Sequence, residues 1–309
     1  MTPAITMSPA PPRKFQIDTR FVGPILISAI LVIGHLFFGI LEDWRKTVAC
    51  FSTSIIIEMA IGYFIVGRLP HLASAWVGGI SCGILVRSPE WWPYLVAPCI
   101  AILSKYVIRL HGRHLWNPSN FAVAALLLIA PQTVASLSIQ WGNHVLPMMI
   151  IWLFGGVIVY RLNRFHISGT YVLFFFLFAA LRALLSDDAS PLLIRVQQEI
   201  APITGPMYQL FVLFMITDPK TTMHSKKGQT IVAFLVAGME CAIRYFGPRM
   251  GLDHIATHAP YYALTIMGPS SNLLEILWNR KAKAPTGGIS PTPAAASAAT
   301  APAAAPKKA

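Results

Sequence analysis

The sequence predicts an all-α integral membrane protein with about ten transmembrane helices, arranged as two inverted five-helix repeats with interrupted helices. Its composition is 55% hydrophobic and only 12% charged, about half of the charged fraction of a soluble domain. Apolar segments of nearly spanning length recur along the chain. Helix-breaking motifs also recur at matching positions in the two halves, which is typical of inverted-repeat transporters.

Ten apolar segments are predicted, at about 21–41, 47–66, 70–87, 91–110, 118–139, 145–160, 167–186, 203–217, 229–246 and 256–278. They form a polytopic membrane domain over residues 21–283, with repeat 1 at about 21–140 and repeat 2 at about 145–280. Residues 1–20 are expected to be a disordered cytoplasmic arm. Residues 284–309 are rich in Ala and Pro, and such a composition predicts a disordered tail.

The basic residues predict the orientation of the chain. Most of the 24 lysines and arginines lie in the arm, in the tail, and in the loops that a cytoplasmic N-terminus would place on its own side. Both termini are therefore expected in the cytoplasm, and the protein in a bacterial-type inner membrane. Because the basic residues alternate with apolar runs, no nucleic-acid partner is predicted.

The two halves share a weak internal repeat. The third segment breaks at Arg87-Ser-Pro89 and the eighth at Thr217-Asp-Pro219, while the fifth opens with Asn117-Pro-Ser-Asn120 and the tenth contains Gly268-Pro-Ser-Ser-Asn272. Each feature recurs after five segments, and five is an odd number. The second half is therefore inverted, which predicts a central site at the repeat interface.

Two stretches are candidates for that site. Asn117, Ser119 and Asn120 lie at a predicted helix start. The free backbone amides there favour binding of an anion, or of the phosphate or ribityl chain of a cofactor. Helix capping alone would also explain why these three residues occur at this position. Thr217, Asp218 and Thr221 lie where a proline interrupts an apolar run. They either line a central break or merely end a helix at the lipid interface.

Three charged residues lie within apolar segments. Glu58 and Glu240 are near the middle of theirs, and Lys105 is a candidate counter-ion for Glu240, because their segments occupy equivalent places in the two halves. A proton or cation relay and a purely structural role both remain open. No metal site is predicted, since neither the nine histidines nor the four cysteines show haem or iron–sulfur spacing.

Three short stretches of the sequence resemble motifs of a known protein family. Arg113-His-Leu-Trp-Asn-Pro-Ser-Asn-Phe121, Phe165-His-Ile167 and Met215-Ile-Thr-Asp-Pro-Lys-Thr221 resemble recurrent stretches of the NqrB/RnfD family, and most of all its UnbU-type branch, associated with enediyne biosynthesis. The resemblance covers about residues 20–280. It implies a ten-helix subunit of a flavin-using, ion-translocating electron-transport complex with other membrane or peripheral subunits.

One departure concerns the cofactor. The family attaches FMN to a threonine in an extended loop after the fifth span, but here the loop from Gln140 to Val145 is short and contains no threonine. Covalent FMN is therefore not expected. A non-covalent flavin, FMN or riboflavin, remains a candidate, with Trp116, Phe121 and Tyr208 as aromatic side chains that could stack on it.

Two functions follow from these observations. The first is a membrane subunit of a flavin-linked electron-transport complex, and the second is a channel or transporter for a small polar solute or ion without redox chemistry. The retained Thr-Asp-Pro-Lys-Thr stretch favours the first, and the missing threonine favours the second. No self-contained catalytic site is evident from the sequence.

Overall fold

The protein is helical over most of its length. The structure, a computed structural model, describes residues 21–39, 41, 43–68, 70–110, 113–136, 145–218 and 221–283. The predicted arm, the predicted tail and most of the 140–145 loop lie outside the described residues, as do Pro219 and Lys220 of the predicted break. The domain boundaries therefore remain predictions.

Five helices and their extensions make up the first half of the chain. They are α1 (Val22–Phe38), α2 (Trp44–Ile61, extended by a π-helical turn Gly62–Val66), α3 (Ala73–Leu85), α4 (Trp92–Val107) and α5 (Pro118–Ile129). The second half contains α6 (Val145–Arg161), α7 (Phe165–Leu184), α8 (Leu192–Ile200), α9 (Pro206–Leu210, extended by a π-helical turn Phe211–Met215), α10 (Lys226–Arg249), α11 (Asp253–Thr257) and α12 (Ala259–Lys283).

Each of the ten predicted segments contains a helix, and the tenth begins within the separate short helix α11 before it continues in α12. Two further differences concern the fifth segment and residues 192–200. The fifth segment was predicted to run to residue 139, but α5 ends at Ile129, because Pro131 cannot continue a helix and restricts the residue before it. Residues 192–200 form the additional helix α8, which the sequence interpretation treated as part of a connection.

The all-α prediction agrees with this helical structure, to which the described residues add four strands of two residues each. β1 (Val86–Arg87) pairs antiparallel with β4 (Ala135–Ser136), and β2 (Arg109–Leu110) pairs with β3 (Arg113–His114). The β1–β4 ladder follows the end of α3, where the sequence predicted a break. It gives the backbone at this break hydrogen-bond partners away from water, as a buried interruption requires.

The protein is a membrane protein. Within the part of the chain that the structure describes, three helical segments are long and apolar enough to cross a bilayer, namely Trp44–Ile65, Phe165–Leu184 and Lys226–Arg249. Shorter apolar helices accompany them, and large apolar side chains are exposed on their surfaces, including Leu36, Phe64, Leu153 and Leu177. Exposed apolar surface on this scale is stable in lipid rather than in water.

Glycines bring α3 unusually close to α2. A Cβ atom at Gly79 would lie 2.8 Å from the Ser54 Cβ, and one at Gly83 would lie 2.9 Å from the Thr47 Cγ2. Both distances are shorter than a van der Waals contact, so only glycine fits. Small residues at a helix interface are the usual route to close packing in membranes.

The helices pack mainly within their own half of the chain, and the two halves meet at two helix pairs. In the first half, α2 packs against α3 and α4, and α4 packs against α5; in the second, α10 packs against α7 and α12. The halves meet where α5 contacts α12 and where α1 contacts α6. The start of α5 and the end of the π-helical turn after α9 also lie close together, since the Asn117 amide is 3.4 Å from the Met215 carbonyl.

Candidate functional site

The first side of the candidate site is the start of α5. Asn117 is the N-cap, with an extended backbone, and its side-chain oxygen accepts a hydrogen bond from the Asn120 backbone N–H at 3.1 Å. Pro118 occupies the first helical position, where a missing N–H costs nothing. The capping role considered from the sequence is thus present, and it leaves the Asn117 Nδ2 amide to bond elsewhere.

The second side is the end of the helix after α9. The Ile216 N–H donates to the Phe211 carbonyl at 3.1 Å, a wide turn of the π type, and the Asp218 N–H then donates to the Met215 carbonyl at 3.3 Å. The Thr217 hydroxyl donates back to the Leu213 carbonyl at 2.8 Å. The backbone thus leaves the helix within three residues, as a residue preceding a proline favours.

The Asp218 carboxylate joins these two sides. Its Oδ2 accepts from the Thr221 hydroxyl at 3.1 Å and from the Asn117 Nδ2 at 3.4 Å, across 101 positions of sequence. The same Asn117 amide lies 3.4 Å from the Met215 carbonyl. The structure therefore brings Asn117, Asp218 and Thr221 together.

A cavity of about 210 Å³ lies beside this junction. Its polar edge is formed by Asn117, Ser119, Thr217 and Asp218, and its remaining wall is largely apolar, from Ile27, Val77, Ile84, Leu85, Leu210 and Phe214. Pockets for drug-sized ligands measure about 300–1,000 Å³. The volume lies below this range, so the cavity can hold a small solute or only a part of a larger ligand, such as its ring system.

Asn120 has a different role from its neighbours. Its amide nitrogen donates to the Tyr261 carbonyl at 3.1 Å and to the Thr265 hydroxyl at 2.9 Å, both on α12. It is 1% exposed. Asn120 thus ties α5 to α12 across the two halves and faces away from Asp218, which the sequence could not distinguish from a ligand contact.

Arg164 is a neighbour that the sequence interpretation missed. It lies in the short connection between α6 and α7, and its guanidinium donates to the Thr222 hydroxyl. Burial lowers the pKa of Arg164, and the nearby Asp218 carboxylate partly offsets this effect. The sequence used Arg164 only as an orientation marker, because nothing in its local pattern indicates a contact 58 residues away.

The three aromatic residues proposed to stack on a flavin do not line this cavity. The Trp116 and Phe121 rings stack on each other with centroids 4.7 Å apart, and the Trp116 indole donates to the Thr265 carbonyl at 2.7 Å. Tyr208 bonds to Glu240 instead. Phe214 is the aromatic side chain of the cavity wall, and its position within an apolar run gave no sign of that.

The buried charges predicted from the sequence, Glu58, Lys105 and Glu240, lie in two separate clusters. The Glu58 carboxylate forms an ion pair with the Lys105 ammonium, with 2.6 Å between nitrogen and oxygen, and accepts a hydrogen bond from the Tyr106 hydroxyl at 2.9 Å. Lys105 is therefore the partner of Glu58, and its predicted pairing with Glu240 is wrong. The reason is that α4 packs along α2, within its own half.

Glu240 on α10 is bonded mainly to phenols. The Tyr171 hydroxyl donates to its Oε2, the Tyr208 hydroxyl donates to its Oε1 at 2.6 Å, and an Arg244 nitrogen lies 3.8 Å from Oε1. Arg244 and Arg182 in turn both bind the Glu199 carboxylate, at 3.3 and 2.7 Å. Two arginines and two glutamates thus form one connected cluster.

The described residues contain no group of three or more His, Cys, Asp or Glu side chains arranged to hold a metal ion. His254 and His258, which are at helical spacing, lie with ring centroids 4.8 Å apart, and the His254 Nε2 is hydrogen-bonded to the Leu127 carbonyl at 2.8 Å.

Comparison with known proteins adds no relative. No protein-family model matches this chain, and no curated protein is significantly similar to it. The resemblance to the NqrB/RnfD family therefore rests on the short motifs alone and remains a prediction.

Proposed function

We propose that this protein is the membrane subunit of a flavin-linked electron-transport complex of the NqrB/RnfD/UnbU type, and that it binds a flavin non-covalently. The observation that carries this proposal is the junction of Asn117, Asp218 and Thr221 beside a largely apolar cavity. Two of the three stretches that suggested the family from the sequence meet at this junction.

The donor set of the cavity suits the isoalloxazine part of a flavin. One edge of that ring carries an imide N–H and carbonyl oxygens, for which the Asp218 carboxylate and the Asn117 amide are complementary partners. The apolar wall, with Phe214, suits the ring faces. Bound there, a flavin would supply one- and two-electron redox chemistry, while Asn117, Thr217 and Asp218 would hold and orient its polar edge.

The proposal includes the membrane arrangement. It consists of ten spans in two inverted repeats, with both termini in the cytoplasm of a cell and the protein in an inner membrane. The distribution of basic residues supports this orientation. The helix pairs α2–α4 and α7–α10 occupy equivalent places in the two halves, which supports the repeat.

Cysteines introduced at positions 143 and 187 should react with impermeant reagents from outside, and one at 226 from the cytoplasm. The reverse pattern would overturn the orientation.

The deciding experiment is an absorption spectrum of the detergent-purified full-length protein, repeated after acid precipitation. Flavin bands released into the supernatant are expected. Bands that remain with the pellet would show covalent attachment and contradict the loop argument.

Asp218→Asn tests the assignment of the site. The variant keeps the shape of the side chain but removes the acceptor charge, so we expect the flavin-to-protein ratio to fall by about 10-fold or more, since a charged hydrogen bond contributes about 1.5–3 kcal/mol. Asp187→Asn, an exposed aspartate on a connection, is the matched control and should keep the wild-type ratio. Equal ratios in both variants would contradict the site.

A channel or transporter for a small polar solute or ion is the second candidate. The small volume of the cavity, about 210 Å³, favours it. So does the position of the Asp218 carboxylate beside the carbonyl end of a helix, where a cation is stabilised. A colourless protein would favour this function, and flux into proteoliposomes would then be the next measurement.

A further inference from the structure

A second cavity lies beside the Glu240 cluster. It measures about 620 Å³ and is bordered by Tyr208, Arg244, Glu199, His258 and Asp253. Asp253 at its rim is exposed, whereas Tyr208 is 3% exposed and Glu240 1% exposed. The cavity thus extends from the protein surface to the phenol that covers the Glu240 carboxylate.

Glu240 has two phenol neighbours in different surroundings. Tyr208 lies on the cavity wall, and its hydroxyl both donates to Glu240 at 2.6 Å and accepts from Arg244 at 3.3 Å. Tyr171 bonds to the other carboxylate oxygen but is fully buried, with its ring packed against Phe175 and Phe211. Only one of these contacts therefore connects the carboxylate to the cavity.

We propose that Glu240 is a proton-binding site that exchanges its proton with this cavity through Tyr208. The Tyr208 hydroxyl transfers its proton to the Glu240 Oε1 while its oxygen takes a proton from a hydronium ion in the cavity. One proton thus moves inward, the hydronium ion becomes neutral water, and the tyrosine is restored. A hydroxyl can donate and accept at once, which this exchange requires.

The charges around the site allow it to hold or release a proton. Every element packed around Glu240 contributes charged or titratable side chains. They are Tyr171 and Arg182 on α7, Glu199 on α8, Tyr208 on α9, Arg244 on α10 itself, Asp253 on α11, and His258 and Tyr261 at the start of α12. With both arginines charged and both glutamates ionised, the arginine–glutamate cluster is neutral. One added proton gives the cluster a net charge of +1, and Arg244, which borders the cavity, remains paired with Glu199.

The test uses infrared spectroscopy on the full-length protein in detergent. As the pH falls, a carbonyl-stretch band of a protonated carboxylic acid should appear, and it should be missing in Glu240→Gln. After transfer to D₂O, the band should shift quickly in the wild-type protein. Tyr208→Phe should slow this exchange by on the order of 100-fold, the usual contribution of a positioned proton-transfer group.

Tyr171→Phe is the matched control. It also removes one hydrogen bond to Glu240, so the band should move in frequency, but exchange with D₂O should stay near the wild-type rate. The Tyr208→Phe and Tyr171→Phe pair decides the outcome even where Glu240→Gln fails to fold. No titrating band in the wild-type protein, or equal exchange rates in the two tyrosine variants, would overturn the proposal. Neither result depends on whether a flavin is bound.

Discussion

Glu58 on α2 and Glu240 on α10 are both carboxylates buried within apolar helices, yet the protein stabilises them in different ways. Glu58 forms a direct ion pair with Lys105 at 2.6 Å, and both side chains are at most 7% exposed. Glu240 has its nearest cation at 3.8 Å and accepts hydrogen bonds from two phenols. The first carboxylate is fixed by an opposite charge, whereas the second is solvated by dipoles.

This difference in surroundings indicates which role each carboxylate can have. A buried ion pair holds both charges, because neutralising one partner leaves the other without compensation in a low-dielectric environment. A carboxylate held by phenols keeps hydrogen bonds in either protonation state, since a hydroxyl can also accept. The Glu58 pair is therefore suited to hold α2 against α4, and Glu240 is suited to change its charge.

The largest expected effect comes from removing Lys105. Lys105→Met leaves the Glu58 carboxylate buried with only the Tyr106 hydrogen bond among the contacts described above, and we expect a loss of about 3–5 kcal/mol in the free energy of unfolding. Unfolding of the detergent-solubilised protein by SDS measures this. The double variant Glu58→Gln/Lys105→Met removes both charges and should recover most of the loss. Equal stabilities of the single and double variants would show that the pair contributes little.

A smaller effect is expected at Arg244. Arg244→Gln leaves Glu199 bonded to Arg182 and leaves Glu240 bonded to its two tyrosines, so the loss should be about 1–3 kcal/mol, as for a charged hydrogen bond. Because the nearest cation is removed, a larger share of Glu240 should carry a proton at a given pH. Infrared titration measures that share, and an unchanged titration would contradict the charge argument.

The smallest expected effects sharpen the comparison between the two sites. Tyr106→Phe and Tyr208→Phe each remove one hydroxyl from a buried carboxylate, and each should cost about 1 kcal/mol of stability. Only Tyr208→Phe should slow the exchange of a carboxylic acid proton with D₂O. Slowed exchange in both variants would mean that the cavity beside Tyr208 has no special role.

Part of the candidate site could be predicted from the sequence because it depends on local chemistry. The proline after Asp218 and the Asn-Pro pair at residues 117–118 restrict their own backbones, so a helix end and a helix start could be located without a structure. The roles of Asn120 and Arg164 could not, since their partners lie 141 and 58 residues away.

The sequence by itself determined the helical membrane character of the chain and the positions of two helix interruptions, at residues 87–89 and 217–219. These follow from hydropathy and from proline geometry, which act on neighbouring residues. The tertiary structure determined which charged side chains form ion pairs with each other. Lys105 was assigned to Glu240 on the basis of position within the repeats, but α4 lies against α2, so the ammonium reaches Glu58 at 2.6 Å. A salt bridge requires contact within a few ångströms, and only the packing of helices brings distant residues that close.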